Sequence, residues 1–310
     1  MANREMRRST QLMLVAAMLL VLAGCGERHD GSLIPTGTAW FRFPAPSAAQ
    51  PARTIEVYTY RPANHSADDP IVLVMHGASR NADDYRDRWV EVADRYRLLI
   101  VAPRIDERGF SWEEFRLGGV VRNREEVPVP PNGPLKSDWT FTLMDRLFDH
   151  VRDVTGSRIE RYDFFGHSAG GQFAHRFAMF LPSARTRVVI SANSGWYTFP
   201  TAEPPFPYGL GGFPDQPPLG PSDYPGMFGK RLVIMLGMAD TVRDRNLLAT
   251  PEADAQGQNR LERGRAYHEA GKVLATRLGL PFRWEVVEVP GIEHSSATMI
   301  PHAARWLYGE

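Results

Sequence analysis

The chain has 310 residues, with 36 lysines and arginines balanced by 36 aspartates and glutamates, 43% hydrophobic residues and one cysteine. That length and apolar content suffice for one large domain built on a sheet covered on both faces. Zero formal charge gives no footing for a nucleic-acid partner or an electrostatically held membrane surface, and a lone cysteine excludes an intramolecular disulfide.

From the N-terminus, Arg4, Arg7 and Arg8 precede an apolar run, Leu12 to Leu22. About 11 residues are too few to span a bilayer, which takes roughly 20, so the segment reads as a secretory signal. Its end, Leu22-Ala23-Gly24-Cys25, resembles the bacterial lipobox, whose cysteine receives a diacylglyceryl thioether before cleavage on its N-terminal side. The resemblance implies a lipoprotein: residues 1–24 removed, Cys25 lipidated, 25–36 a tether and 37–310 the folded domain. Each buried acyl CH₂ contributes about 0.8 kcal/mol, so two or three chains give lasting attachment. Gly26, rather than aspartate, after the cysteine points in a Gram-negative host to the outer membrane. An ordinary signal peptide with a chance cysteine is the alternative.

Strands are predicted near 38–43, 54–60, 71–75, 98–101, 162–165, 188–191, 232–236 and 284–289, and helices near 83–96, 138–155, 168–181, 260–278 and 297–308. The first two strands alternate in character, as an antiparallel start does. The later ones are short apolar runs separated by helices, the pattern of a buried parallel sheet. Two long segments break the rhythm. Residues 104–137 hold Trp112 and Phe115, and residues 194–229 hold nine prolines between Pro200 and Pro225 with Trp196, Tyr197, Phe206, Tyr208 and Phe213. Loops this long are usually lids or binding loops, and both leave the carboxyl ends of strands, where open α/β sheets bind ligands. Trp196 and Tyr197 are favoured as pocket wall; packing of the loops onto the domain is the competing reading.

Gly166-His167-Ser168-Ala169-Gly170-Gly171 stands between the apolar run 162–165 and the helical pattern that follows. This is G-x-S-x-G in a strand-to-helix setting, the context of a nucleophile elbow. Side chains at Gly166 or Gly170 would clash in so sharp a turn. Ser168 is pushed out at a helix N-terminus, where orphan N–H groups favour developing negative charge. His167 is expected to pack beneath the elbow.

These residues resemble the α/β-hydrolase superfamily, whose triad runs serine, acid, histidine. The resemblance implies Asp240 as the acid, in Gly237-Met238-Ala239-Asp240 after the strand 232–236, with Asp244 as a rival. It implies His294 as the base, in Pro290-Gly291-Ile292-Glu293-His294 after the last strand. It also implies an oxyanion hole from the backbone N–H groups of Ala169 and of the His76-Gly77-Ala78-Ser79 loop, with Ala78 favoured over Gly77 and Ser79. The expected fold is an α/β-hydrolase: a mostly parallel eight-stranded sheet flanked by helices, with Pro- and aromatic-rich insertions. No cofactor or metal is called for, and neither H-E-x-x-H nor a dinucleotide fingerprint occurs.

Within the superfamily, His76-Gly77 followed by Arg80-Asn81-Ala82-Asp83-Asp84-Tyr85, then the serine motif and Asn193-Ser194-Gly195-Trp196-Tyr197, resembles the polyhydroxybutyrate depolymerase and feruloyl esterase-like branch. The disulfides of some secreted relatives cannot form here, and no separate polymer-binding domain is expected. The sequence reading is therefore a lipid-anchored serine esterase acting on small esters or oligoesters. A serine peptidase of the same fold and a non-catalytic binding protein are the alternatives.

Overall fold

A computed structural model describes residues 34–126, 133–212 and 222–309. The predicted signal segment and Cys25 lie outside the described residues. The first half of the chain forms β1 (Gly37–Pro44), β2 (Thr54–Arg61), β3 (Ile71–Met75), α1 (Ala82–Arg88), α2 (Val90–Tyr96), β4 (Leu99–Arg104), α3 (Trp112–Arg116) and α4 (Thr140–Thr155). The second half forms β5 (Tyr162–His167), α5 (Ala169–Phe180), β6 (Thr186–Ala192), α6 (Tyr224–Gly229), β7 (Leu232–Gly237), α7 (Pro251–Asp254), α8 (Arg260–Leu278), β8 (Trp284–Val289) and α9 (Ser296–Tyr308).

The eight strands make one sheet in the order β1-β2-β4-β3-β5-β6-β7-β8. β1 and β2 pair antiparallel, as do β2 and β4; every pairing from β4 through β8 is parallel. Alternation explains why the central strands read as unbroken apolar runs. In β3, Ile71, Leu73 and Met75 enter one core with α4, α5 and α8, while Val72 and Val74 enter a second core with α1, α2 and α9. A strand buried on both faces has no polar side.

The predicted helix over 83–96 is two helices. Trp89 interrupts it with a tight turn, its N–H bonding to the Arg86 carbonyl at 3.1 Å, and its buried ring meets Phe165 edge-on at 5.3 Å. Three short helices, α3, α6 and α7, sit in segments predicted as loops.

Candidate active site

β5 turns into α5 at Ser168 with almost no intervening chain. Ser168 has φ 59° and ψ −116°, a conformation that costs a non-glycine residue about 1–3 kcal/mol. Its neighbours over-determine it. A Cβ on Gly166 would collide with the Gly170 carbonyl, and one on Gly170 with the carbonyls of Met75 and His76 in β3 and the loop after it. The Ser168 N–H is tied to the Ala192 carbonyl of β6 at 2.9 Å.

Asp240 lies just beyond β7, and His294 just beyond β8, one residue before the Ser295 cap of α9. The two loops are stitched together by Met238 N–H to the Val289 carbonyl and Ala239 N–H to the Ile292 carbonyl, both 3.0 Å. Asn193, at the end of β6, holds both loops at once. Its Oδ1 accepts from Gly237 N–H at 2.8 Å, and its Nδ2 donates to the Glu293 carbonyl at 3.1 Å.

These supports bring three predicted side chains into series. Ser168 Oγ lies 3.0 Å from His294 Nε2, and His294 Nδ1 lies 2.7 Å from Asp240 Oδ2. Asp240 is 2% exposed and also accepts from Arg260 Nη1 at 3.2 Å, whose guanidinium is equally buried. Asp244 bonds to Arg260 Nη2 at 3.1 Å and caps its own turn at Asn246 and Leu247, so the carboxylate at the histidine is that of Asp240.

Two further histidines shape the site while staying neutral. His76 is buried, and desolvation pulls it down to about 4. One ring nitrogen bonds the Gly77 carbonyl at 2.9 Å and the other accepts from Ile105 N–H at 3.0 Å, which fixes the loop carrying Ala78. His167 is also held well below its usual range, mainly by burial and then by His294, and its ring lies 4.9 Å from that of His294.

Gly77, Ala78 and Ser79 share a cleft of about 410 Å³ with Ser168 and His294. Ala169 opens α5, where a first-turn N–H has no intrahelical acceptor. Trp196 and Tyr197 are not part of this cleft, which corrects the expectation that they form its wall. They are 1% and 0% exposed. Trp196 stacks on Trp112 at 6.1 Å and lies over the Arg176 guanidinium at 4.0 Å; Tyr197 stacks on Tyr267 at 4.6 Å. Large aromatic area was better removed from water in the core than left on a loop surface. Asn193 and Arg260 were not singled out for a role. Arg260 stands in no motif; Asn193 opens the Asn193-Ser194-Gly195-Trp196-Tyr197 stretch that carries the family resemblance, and its place directly after a buried strand is the signal for it. Among the described residues, no group of three or more His, Cys, Asp or Glu side chains is arranged to hold a metal.

The sheet order, the strained serine between β5 and α5, and an acid and a histidine beyond the last two strands define an α/β-hydrolase. No protein-family profile matches the chain, and no curated protein matches it. Solved structures do. The poly(aspartic acid) hydrolase-1 of Sphingomonas sp. KT-1 is 34% identical, the match covering 89% of this chain and 99% of that one with a TM-score of 0.79. The poly(3-hydroxybutyrate) depolymerase LpqC of Bordetella parapertussis is 35% identical, over 89% and 91% of the two chains, with a TM-score of 0.78. The siderophore hydrolase EstA of Aspergillus nidulans, at 15% identity and a TM-score of 0.52 over 88% and 94%, shares the fold alone. The chain belongs to the polyhydroxybutyrate depolymerase-type serine hydrolases of the α/β-hydrolase superfamily.

Proposed function

We propose that the protein hydrolyses carboxylic esters of small or oligomeric substrates through Ser168, His294 and Asp240. The observation that carries this reading is the unbroken series of hydrogen bonds from Ser168 Oγ through the His294 ring to Asp240. In that mechanism His294 Nε2 takes the Ser168 proton as Oγ attacks the carbonyl carbon, and Asp240 stabilises the imidazolium that forms. The Ala169 N–H and an N–H of the 77–79 loop, Ala78 first, stabilise the oxyanion; losing one such donor costs on the order of 3 kcal/mol in the transition state. His294 then protonates the leaving group, and water releases the acyl group by the reverse sequence.

Amide hydrolysis is the second reading, favoured by the similarity to a hydrolase of poly(aspartic acid), a polyamide. Parallel turnover of p-nitrophenyl esters and matched anilides ranks the two. Ser168→Ala is expected to keep the native fold by circular dichroism while ester turnover drops by several orders of magnitude and fluorophosphonate labelling disappears. Retention of most activity in that variant overturns the mechanism. We further propose that the enzyme is anchored in the bacterial cell envelope through lipid on Cys25; mass spectrometry of the protein extracted from membranes, against Cys25→Ser, tests this.

A further inference from the structure

The cleft at Ser168 is polar, and its charge is one-sided. Ser79, Asn81, Asn246 and Ser295 offer hydroxyls and amides; among the described residues no carboxylate lines it, and the one permanently charged side chain there is Arg88 at the end of α1. Arg88 is exposed and held in place on two sides. Its Nη1 donates to Ser296 Oγ at the start of α9, and its guanidinium lies over the Tyr85 ring at 5.1 Å. Tyr85 is itself fixed beneath the elbow, its hydroxyl 3.2 Å from His167 Nδ1. Among the described residues no acid pairs with Arg88, in contrast to Arg260, Arg263 and Arg187, which are spent in ion pairs. A guanidinium has five donors in a rigid fork that matches a carboxylate. An anchored guanidinium with free donors, in a cleft with no acid, is complementary to an anion and offers little to an alkyl chain.

We propose that Arg88 determines specificity here by binding a carboxylate on the substrate near the scissile bond. This rests on the reading of Ser168 as the nucleophile. Two substrate types present such a group: the free acid end of a hydroxy-acid oligoester, and the side chains of an acidic polyamide. The first makes the enzyme a trimmer of chain ends; the second lets it act along a chain.

Calorimetric titration of Ser168→Ala, which binds without turnover, separates these. One pair of probes is the 3-hydroxybutyrate dimer and its N-methylamide. The other is a β-linked aspartate trimer and the same trimer with its carboxylates as primary amides. The acid form of at least one pair is expected to bind about tenfold more tightly than its neutral partner, as for a charge-assisted pair. That ratio should collapse towards one in Ser168→Ala/Arg88→Gln, recover in part with Arg88→Lys, and invert with Arg88→Glu. The pair showing the preference identifies the source of the carboxylate. Equal binding of acid and neutral forms, or a ratio unchanged by Arg88→Gln, overturns the proposal. Failure of the underlying reading is seen separately, as p-nitrophenyl acetate turnover that persists in Ser168→Ala.

Discussion

Asn193 has the backbone of a left-handed residue, φ 45°, and a side chain that spends both its donor and its acceptor on other loops. Through Gly237 it reaches the segment of Asp240, and through Glu293 the segment of His294. It never touches either side chain in the series, so its contribution is position. Asn193→Ala takes its acceptor from the Gly237 N–H, while the Glu293 carbonyl keeps the Ser295 N–H at 2.8 Å. The buried amide left unpaired costs about 1–3 kcal/mol, and the two loops lose their shared tie and can drift relative to Ser168. Misplacement by about 1 Å can cost a hundredfold in rate. The expected result is a large fall in kcat for p-nitrophenyl acetate with little change in KM, alongside a modest loss of urea stability. A pure stability loss with kcat intact would remove Asn193 from any positioning role. Ser168 could be singled out because G-x-S-x-G stands between an apolar run and a helical pattern, and Asp240 and His294 because the family resemblance calls for an acid and then a histidine after later strands. Asn193 and Arg260 could not, because what matters about them is which distant backbone or carboxylate they meet.

At the level of elements, the strands were legible because burial on both faces leaves an apolar signature that survives without context. The segments between them were less so. The capping box of α3, in which Ser111 accepts from Glu114 N–H and Glu114 from Ser111 N–H, was present in the sequence, yet the helix is only five residues long. The aromatic content of the 194–229 segment suggested a pocket, but Trp196, Tyr197 and Phe206 are core residues and Phe199, Tyr208 and Tyr224 pack against them. Arg176, fully buried in α5, explains much of this. It donates to Thr198 Oγ1 at 2.7 Å and to the carbonyls of Gln172 at 3.0 Å and Arg116 at 3.2 Å, with burial pulling its guanidinium down to about 9. Trp196 lies over that cation and also stacks on Trp112 of α3, so one indole joins α5, α3 and the loop. Trp196→Ala is therefore expected to cost about 3–5 kcal/mol, read in urea unfolding, while the preference among p-nitrophenyl esters from acetate to decanoate stays as in the wild type. A shifted chain-length optimum with unchanged stability would return Trp196 to the pocket wall.

For the molecule as a whole, folding takes six histidines out of their usual titration range, and in the same direction. His65, His76, His150, His167, His175 and His268 are all lowered, each chiefly by burial. His76 shows why no easy relaxation exists. A proton added at the nitrogen that accepts from Ile105 N–H must break that bond, and the positive charges of Arg80 and Arg104 oppose it. The unfolded chain titrates these groups near pH 6.5, so in the interval below that value it binds more protons than the native protein. Stability therefore rises with pH through this interval and is lost as pH falls from 6.5 towards the native values. For His76, lowered to about 4, the full descent removes on the order of 3 kcal/mol. Five other histidines add to it in the same direction. Asp69 and Asp244 are lowered below their usual range near 4, so their loss begins only under more acid conditions, whereas buried Asp163 is raised by desolvation and opposes the histidine trend at the acid end of the interval. Urea unfolding at pH 8, 7, 6 and 5 covers the histidine interval. Free energy should change little from 8 to 7, where only Lys230, lowered to about 8 by burial, contributes a small slope, and fall from 6.5 to 5 as the six histidines outweigh Asp163. A flat profile down to pH 5 would mean that these rings accept protons in the native state, and that the neutral scaffold beneath Ser168 is not what holds the elbow.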